Sequence, residues 1–145
     1  MNLYRGFVNI ACSDKKVAEA LERYLKYCLD FEQIVFNPLC NPFRFTEALN
    51  MAEQCDLLIV DVFINGEPRG FHFAKQMKKK TLLLFYSGEL NIEDEGPFWL
   101  VFPLKLYKLK EKIIDITKKP QITDKKYLDL ENKYPLLKEF KNHHF

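Results

Sequence analysis

The sequence predicts an α/β domain with a central five-stranded parallel sheet and helices on both faces. Five short apolar segments alternate along the chain with segments whose apolar residues recur at helical spacing, which is the pattern of a parallel sheet with helical crossovers. The apolar segments are unbroken in hydrophobicity, as in DLLIVDVF at 56–63, which indicates strands that are covered on both faces. The 145 residues suit one such domain with one core.

The first half of the chain supplies two strands and two helices. FVNIAC is a short apolar run, and after it Val17, Leu21 and Leu25 recur at helical spacing. Ser13 or Asp14 can cap this helix. The two prolines of NPLCNP exclude a helix directly after the second strand. In chain order we predict a strand at 7–12, a helix at 13–29, a strand at 31–36 and a helix at 43–54.

The second half of the chain supplies three strands and two helices. NGEP and the acidic stretch SGELNIEDEGP are typical of loops, and the basic end of RGFHFAKQMKKK suits the C-terminus of a helix. Pro103 stands at the start of the last helix, where proline is permitted. We predict strands at 56–63, 81–86 and 98–102, and helices at 69–80 and 103–116.

Residues 118–145 are predicted to be a basic linker and a helical extension of a domain that covers residues 1–117. KKPQITDKK is typical of a linker, and 127–142 has the pattern of one more helix that is interrupted near Pro135. The sequence leaves open whether this helix packs on the domain.

The charge of the chain is unevenly distributed, although the net charge is only +2. Residues 1–103 carry 11 basic and 14 acidic side chains, whereas residues 104–145 carry 11 lysines and 6 acidic side chains. A solvated helix face explains the basic segment, and an anionic partner is the alternative. The segment has no aromatic platform or known motif for nucleic acid, so we do not expect a nucleic-acid partner.

The cysteines and the N-terminus indicate a cytoplasmic protein. The sequence has no CxxC pair among its four cysteines, Cys12, Cys28, Cys40 and Cys55. This spacing favours reduced core thiols over a zinc site. The N-terminus has no apolar segment of the signal-peptide type, and no run is long enough to span a membrane. We therefore expect neither a metal nor a membrane partner.

Polar side chains follow three of the predicted strands at their carboxyl ends. Cys12, Ser13 and Asp14 follow the first strand, Asp61 lies near the end of the third, and Ser87 follows the fourth. Because the carboxyl ends of parallel strands meet at one edge of the sheet, we expect these side chains to lie close together. A buried carboxylate such as Asp61 must be paired, metal-bound or ionised at a rim.

Over roughly residues 5–116 the sequence resembles a response-regulator receiver domain. The similar pieces are NIACSDKKVAEAL, LLIVDVF, GFHFAKQMKK, LLLFYSG and FPLKLYKLKEKI, in that order along the chain. The resemblance implies a three-layer, flavodoxin-like fold with strand order 2-1-3-4-5. Receivers place a helix between their fourth and fifth strands, and only 88–97 is available for it here. We expect that helix to be short or absent.

The resemblance implies a phospho-acceptor pocket that has become vestigial. The phospho-accepting aspartate matches Asp61 and the hydroxyl matches Ser87. The two acids that hold Mg²⁺ in receivers fall on Cys12 and Ser13, with only Asp14 acidic beside them, and the lysine falls on Phe102. The interpretation is a pseudo-receiver without conventional aspartyl phosphorylation, catalytic residues, metal or cofactor.

A receiver fold without its switch is expected to act by protein–protein contact, with a protein partner or as a homo-oligomer. The candidate interaction surface comprises Phe98, Trp99, Leu106 and Tyr107. The alternative for Phe98 and Trp99 is an ordinary place in the core. His72 lies among Phe71 and other apolar residues, so we expect a packing or surface histidine rather than a catalytic one.

The middle of the chain also resembles nucleoside 2-deoxyribosyltransferases, which would make the protein a small enzyme with a nucleotide-like ligand. CDLLIVDV and NGEPRGFHFAKQMKKKTLLLFY are similar to that family's acid-ended strand and glycine-led segment. The position of its catalytic glutamate falls on Gly70, however, and Glu67 is the only acid nearby. The enzyme hypothesis is therefore consistent with the predicted fold, but the sequence lacks the glutamate that would act as the nucleophile.

Overall fold

Five parallel strands form a single sheet in a computed structural model, which describes residues 7–12, 14–28, 33–36, 55–64, 66–86, 96–103, 105–120 and 122–138. The strand order is β2-β1-β3-β4-β5, which confirms the α/β fold and the strand order expected above. The strands are β1 (Phe7–Ala11), β2 (Gln33–Phe36), β3 (Leu57–Asp61), β4 (Lys80–Tyr86) and β5 (Trp99–Phe102).

Four helices and one 3₁₀ turn accompany the sheet in the described part of the chain. They are α1 (Lys15–Cys28), α2 (Arg69–Met77), α3 (Leu106–Lys118), α4 (Asp124–Lys133) and the 3₁₀ turn Pro135–Lys138. The predicted helix at 43–54 and most of the segment 88–97 lie outside the described residues.

The helices divide between the two faces of the sheet. Lys80, at the start of β4, donates a hydrogen bond from Nζ to the carbonyl oxygen of Thr117 at 2.6 Å, which ties α3 to one face. Right-handed crossovers place α1 on that same face and α2 on the opposite one. The core between these layers includes all five residues of β3, so β3 is the central buried strand.

Among the helix boundaries that differ from the predicted ones, two have clear local reasons. Helix α2 stops at Met77 rather than residue 80, because Lys78 adopts a left-handed conformation with φ 55° and its amide bonds to the carbonyl of Ala74. No glycine marked this end. Helix α3 begins at Leu106, so Pro103 precedes the helix, after a cis peptide bond from Phe102, and does not open its first turn.

The C-terminal helix packs on the sheet face that carries α2. Tyr127 of α4 is buried, with its ring centroid 5.5 Å from that of Phe71 and 5.9 Å from that of Phe98. Lys75 of α2 forms a 2.8 Å ion pair with Glu131. The helix begins at residue 124, three residues earlier than predicted, and ends at residue 133, ahead of Pro135. A domain boundary at residue 117 stays a prediction, but α4 shares the core of the sheet.

His72 joins the C-terminal segment to α2 by a hydrogen bond. Its Nε2 lies 2.8 Å from the carbonyl oxygen of Leu137, which can only accept, so Nε2 carries the proton. Burial lowers the pKa of His72, and the Leu137 carbonyl and Glu131 oppose this lowering.

None of the described helices is long and apolar enough to cross a membrane.

Replacing Tyr127 with alanine should destabilise the fold by about 3 kcal/mol, because it removes a buried ring and leaves a cavity. Leu128→Ala is the matched control, since this neighbouring side chain on α4 is 49% exposed and its loss should change stability by less than about 0.5 kcal/mol. Urea unfolding measures both variants. Equal stability of the two variants would show that α4 does not belong to the cooperative core.

The pH dependence of stability should carry a contribution from His72. The folded-state pKa is lowered from 6.5, so the unfolded chain binds the proton first as the pH falls. The contribution is therefore present above pH 6.5 and is lost as the pH drops below that value. Urea unfolding of the wild type and of His72→Gln between pH 7.5 and pH 5.5 should show a steeper decline for the wild type. Parallel curves would contradict the assignment.

Candidate functional site

The carboxylate of Asp61 is the centre of the candidate site. Asp61 is the last residue of β3 and is fully buried. Its register partner on β4 is Leu84, so Tyr86, two residues further along, lies on the same face of the sheet. Ala11 pairs with Val60, which brings Cys12 beside Asp61 on that face. The carboxyl ends of three strands therefore converge on one buried acid.

Tyr86 satisfies the carboxylate of Asp61. Its hydroxyl donates to both carboxylate oxygens, at 3.2 Å to Oδ1 and 3.3 Å to Oδ2. The pKa of Tyr86 is raised far above its usual value, first by burial and then by the negative charge of Asp61 and the proximity of Cys12. The phenol therefore stays protonated and remains a donor at physiological pH. One hydroxyl proton is shared between the two oxygens, and both contacts are longer than the roughly 2.5–2.7 Å of a strong O–H···O⁻ hydrogen bond.

Phe102 stacks on Tyr86 from the neighbouring strand. It is the register partner of Tyr86, and the two rings stack with centroids 4.5 Å apart and planes inclined by 5°. In the receiver resemblance this position belongs to a lysine. An aromatic ring here supplies no positive charge, and it holds the Tyr86 ring over Asp61.

Cys12 and Asp14 complete the edge without offering a free ligand. The Cys12 thiol is buried and hydrogen-bonds Asp61, and its pKa is raised well above 9.0, first by burial and then by the charge of Asp61. Asp14 is exposed, and its Oδ1 accepts the backbone amides of Lys16 at 2.8 Å and Val17 at 3.4 Å. Asp14 is therefore the N-cap of α1, and it is one of the two residues predicted to cap this helix.

The residues described at this edge do not fit a magnesium ion. Mg²⁺ requires six oxygen ligands in near-octahedral geometry, usually with several waters. Asp61 is enclosed by Tyr86 and Cys12, a protonated thiol is a poor ligand for a hard cation, and Asp14 is engaged by helix amides. Among the described residues, no group of three or more His, Cys, Asp or Glu side chains could hold a metal ion.

The structure places four of the six predicted pocket residues at this edge of the sheet. It also places Tyr86 there, which was not predicted from the sequence. Ser13 and Ser87 lie outside the described residues. Among the described residues, Tyr86, which directly precedes Ser87 in the sequence, supplies a hydroxyl that contacts Asp61. Strand register could have identified it, because the pairing of Asp61 with Leu84 assigns Tyr86 to the same face.

The predicted interaction surface divides between core and solvent. Phe98 is only 4% exposed and packs against Tyr127, so most of its side chain belongs to the core, and it also lines a groove beside Trp99. Trp99 is half-buried at the start of β5, and Tyr107 on α3 is 58% exposed. Leu106 begins α3.

Gly70 lies where the deoxyribosyltransferase resemblance would need a glutamate. Its backbone packs so tightly on the end of β3 that a Cβ there would overlap the carbonyl oxygen of Asp61. No side chain fits at this position without moving the strand. Glu67 bonds to Arg69 at 2.9 Å. Neither residue is placed as a nucleophile aimed into a cleft.

Solved structures with similar folds include receiver domains of response regulators. A receiver domain protein from Clostridium thermocellum is 13% identical, with a TM-score of 0.60, and the match covers 77% of this chain and 94% of that one. The beryllofluoride-activated DrrB receiver domain is 13% identical with a TM-score of 0.55, covering 80% and 100%. The chemotaxis response regulator CheY4 of Vibrio cholerae is 19% identical with a TM-score of 0.53, covering 78% and 99%.

At these identities the likeness establishes the fold and no activity. No protein-family model matches the sequence, and no curated protein matches it.

Replacing Tyr86 with phenylalanine should destabilise the fold by about 2 kcal/mol, because the buried carboxylate of Asp61 loses a charge-assisted hydrogen bond. Tyr107→Phe removes the same hydroxyl from an exposed ring and should leave stability unchanged within about 0.5 kcal/mol. Chemical denaturation compares the two variants. If both variants match the wild type, the Tyr86 hydroxyl does not stabilise Asp61.

Proposed function

We propose that the protein is a receiver-like regulatory module that acts by protein–protein contact and does not use conventional aspartyl phosphorylation. One observation carries the proposal: both oxygens of the Asp61 carboxylate accept the Tyr86 hydroxyl, and the Tyr86 ring is stacked on Phe102. The acid that would accept a phosphoryl group is thus committed to the protein's own donor.

Phosphoryl transfer to a carboxylate depends on charge neutralisation and in-line approach. The transferring group needs a metal ion, a cation and hydrogen-bond donors around its oxygens. Here Phe102 stands in the place of the cation, and Cys12 stands where the first metal-binding acid is expected. Opening the site would require Tyr86 and Phe102 to leave a stacked, half-buried arrangement and would break the hydrogen bonds from Tyr86 to Asp61. We therefore do not propose a phosphorylation switch at Asp61.

The described thiols do not suit a reactive role, so we assign the function to the surface of the protein. The free cysteines that the structure describes, Cys12 and Cys55, are both buried, and burial raises the pKa of Cys55 to about 11. Neither thiol is poised as a nucleophile. Buried reduced thiols also agree with a cytoplasmic place for the protein. We propose contact with a protein partner, with a homo-oligomer as the alternative.

Mg²⁺ with beryllofluoride should leave the protein unchanged, because Asp61 is enclosed. The measurement is the melting temperature and the amide NMR spectrum, with and without both reagents. The DrrB receiver domain, whose solved structure is a beryllofluoride-activated form, is the positive control in the same buffer. Asp61→Asn is the matched variant. A Mg²⁺-dependent shift that the wild type shows and Asp61→Asn loses would overturn the proposal.

A further inference from the structure

We propose that a groove between the start of β5 and helix α4 docks a short acidic segment of a protein partner through one bulky apolar side chain. This inference rests on the proposed protein-contact function and names the site and the chemistry of the partner. The groove has a volume of about 220 Å³ and is walled by Pro97, Trp99 and Leu130, with Lys126 and Lys133 at its margin.

The Trp99 wall of the groove is held in place by its neighbours. The indole lies directly on Gly96, where a Cβ would overlap three atoms of the six-membered ring. The carbonyl oxygen of Gly96 accepts a hydrogen bond from Lys112 Nζ at 2.6 Å, which anchors this turn to α3. Phe98 meets the indole edge-on, with centroids 5.0 Å apart. A wall fixed in this way does not have to be ordered on binding, which favours affinity.

The size and lining of the groove suit a side chain rather than a whole small molecule. Its volume lies below the roughly 300 Å³ at which small-molecule pockets begin. Its walls are mainly apolar, with an aromatic ring at one side and Leu130 at the other. Interface hot spots are typically apolar or aromatic anchors that enter pockets of this kind. A leucine or phenylalanine of a peptide is the matching occupant.

The charges at the margin define the rest of the partner. Lys126 and Lys133 are exposed and are separated by seven residues of α4, which is about 10 Å along the helix axis. Asp129 is the one acidic residue among the described residues that line the groove. In an extended peptide, carboxylates two residues before and two residues after the anchor lie on the same face as the anchor, about 14 Å apart at the backbone, and their flexible side chains can reach the two lysines. Because Asp129 repels a continuous row of phosphates, a mixed acidic and apolar peptide fits better than nucleic acid.

Trp99 reports on the groove directly, because it is the only tryptophan of the chain. The probe is a synthetic tryptophan-free peptide with a central Leu-Phe pair between glutamates. Titration should change the intensity and emission maximum of Trp99 in a saturable way. The double variant Lys126→Glu with Lys133→Glu should weaken binding at least about tenfold, because the margin becomes repulsive.

A matched control is the double variant Lys15→Glu with Lys16→Glu, which changes the net charge equally at the start of α1, on the other face of the sheet. It should bind the peptide like the wild type. Gly96→Ala should also weaken binding, since it displaces the indole without changing any charge. If Gly96→Ala fails to fold, the two charge variants still test the proposal.

Three results would overturn the groove assignment: no saturable change in Trp99 fluorescence, equal loss of binding in both double variants, or tighter binding of a single-stranded oligonucleotide than of the peptide. None of these outcomes alters the response to beryllofluoride. A negative peptide titration therefore removes the groove alone, whereas a response that depends on Asp61 removes the proposed function.

Discussion

The burial of one carboxylate organises the whole carboxyl edge of this sheet. Asp61 ends a strand whose five residues are all buried, and an unpaired charge there would cost several kcal/mol. The Tyr86 hydroxyl, which donates to both oxygens, and the Cys12 thiol offset part of that cost. Tyr86 can reach them because β4 is paired with β3 in parallel, and Phe102 fixes its ring because β5 is paired with β4. One electrostatic requirement thus links three neighbouring strands.

The same requirement is the basis of the proposal that a receiver-like fold persists here without a working phospho-acceptor pocket. Receivers are expected to keep the aspartate accessible to a metal and a phosphoryl group, with carboxylates and a lysine around it. Here hydrogen-bond donors and an aromatic ring occupy the corresponding places, and they stabilise the folded state rather than a reaction. The proposed function assigns the activity to surfaces, and the groove of Trp99 depends on α4, which is outside the segment that resembles a receiver.

The fold was predictable because its signal is local, whereas the site and the C-terminal packing depend on long-range register. Unbroken apolar runs such as residues 56–63 identify buried parallel strands without knowledge of their neighbours. Tyr86 was missed because a tyrosine at a strand end is typical of ordinary packing, and Ser87 was the more obvious hydroxyl. The docking of α4 was open because its mixed, lysine-rich pattern does not mark Tyr127 as a core residue. The end of α2 at Lys78 had no glycine to indicate it.

Paramagnetic relaxation by Mn²⁺ tests most directly whether Asp61 is closed to a divalent cation. Mn²⁺ takes the same oxygen ligands as Mg²⁺, and it broadens the NMR signals of nearby amides. Titration of the folded protein should leave the amide signals of Asp61, Val62 and Leu84 no broader than those of the distant Lys125. Saturable broadening centred on Asp61, and lost in Asp61→Asn, would show an open cation site and contradict the account.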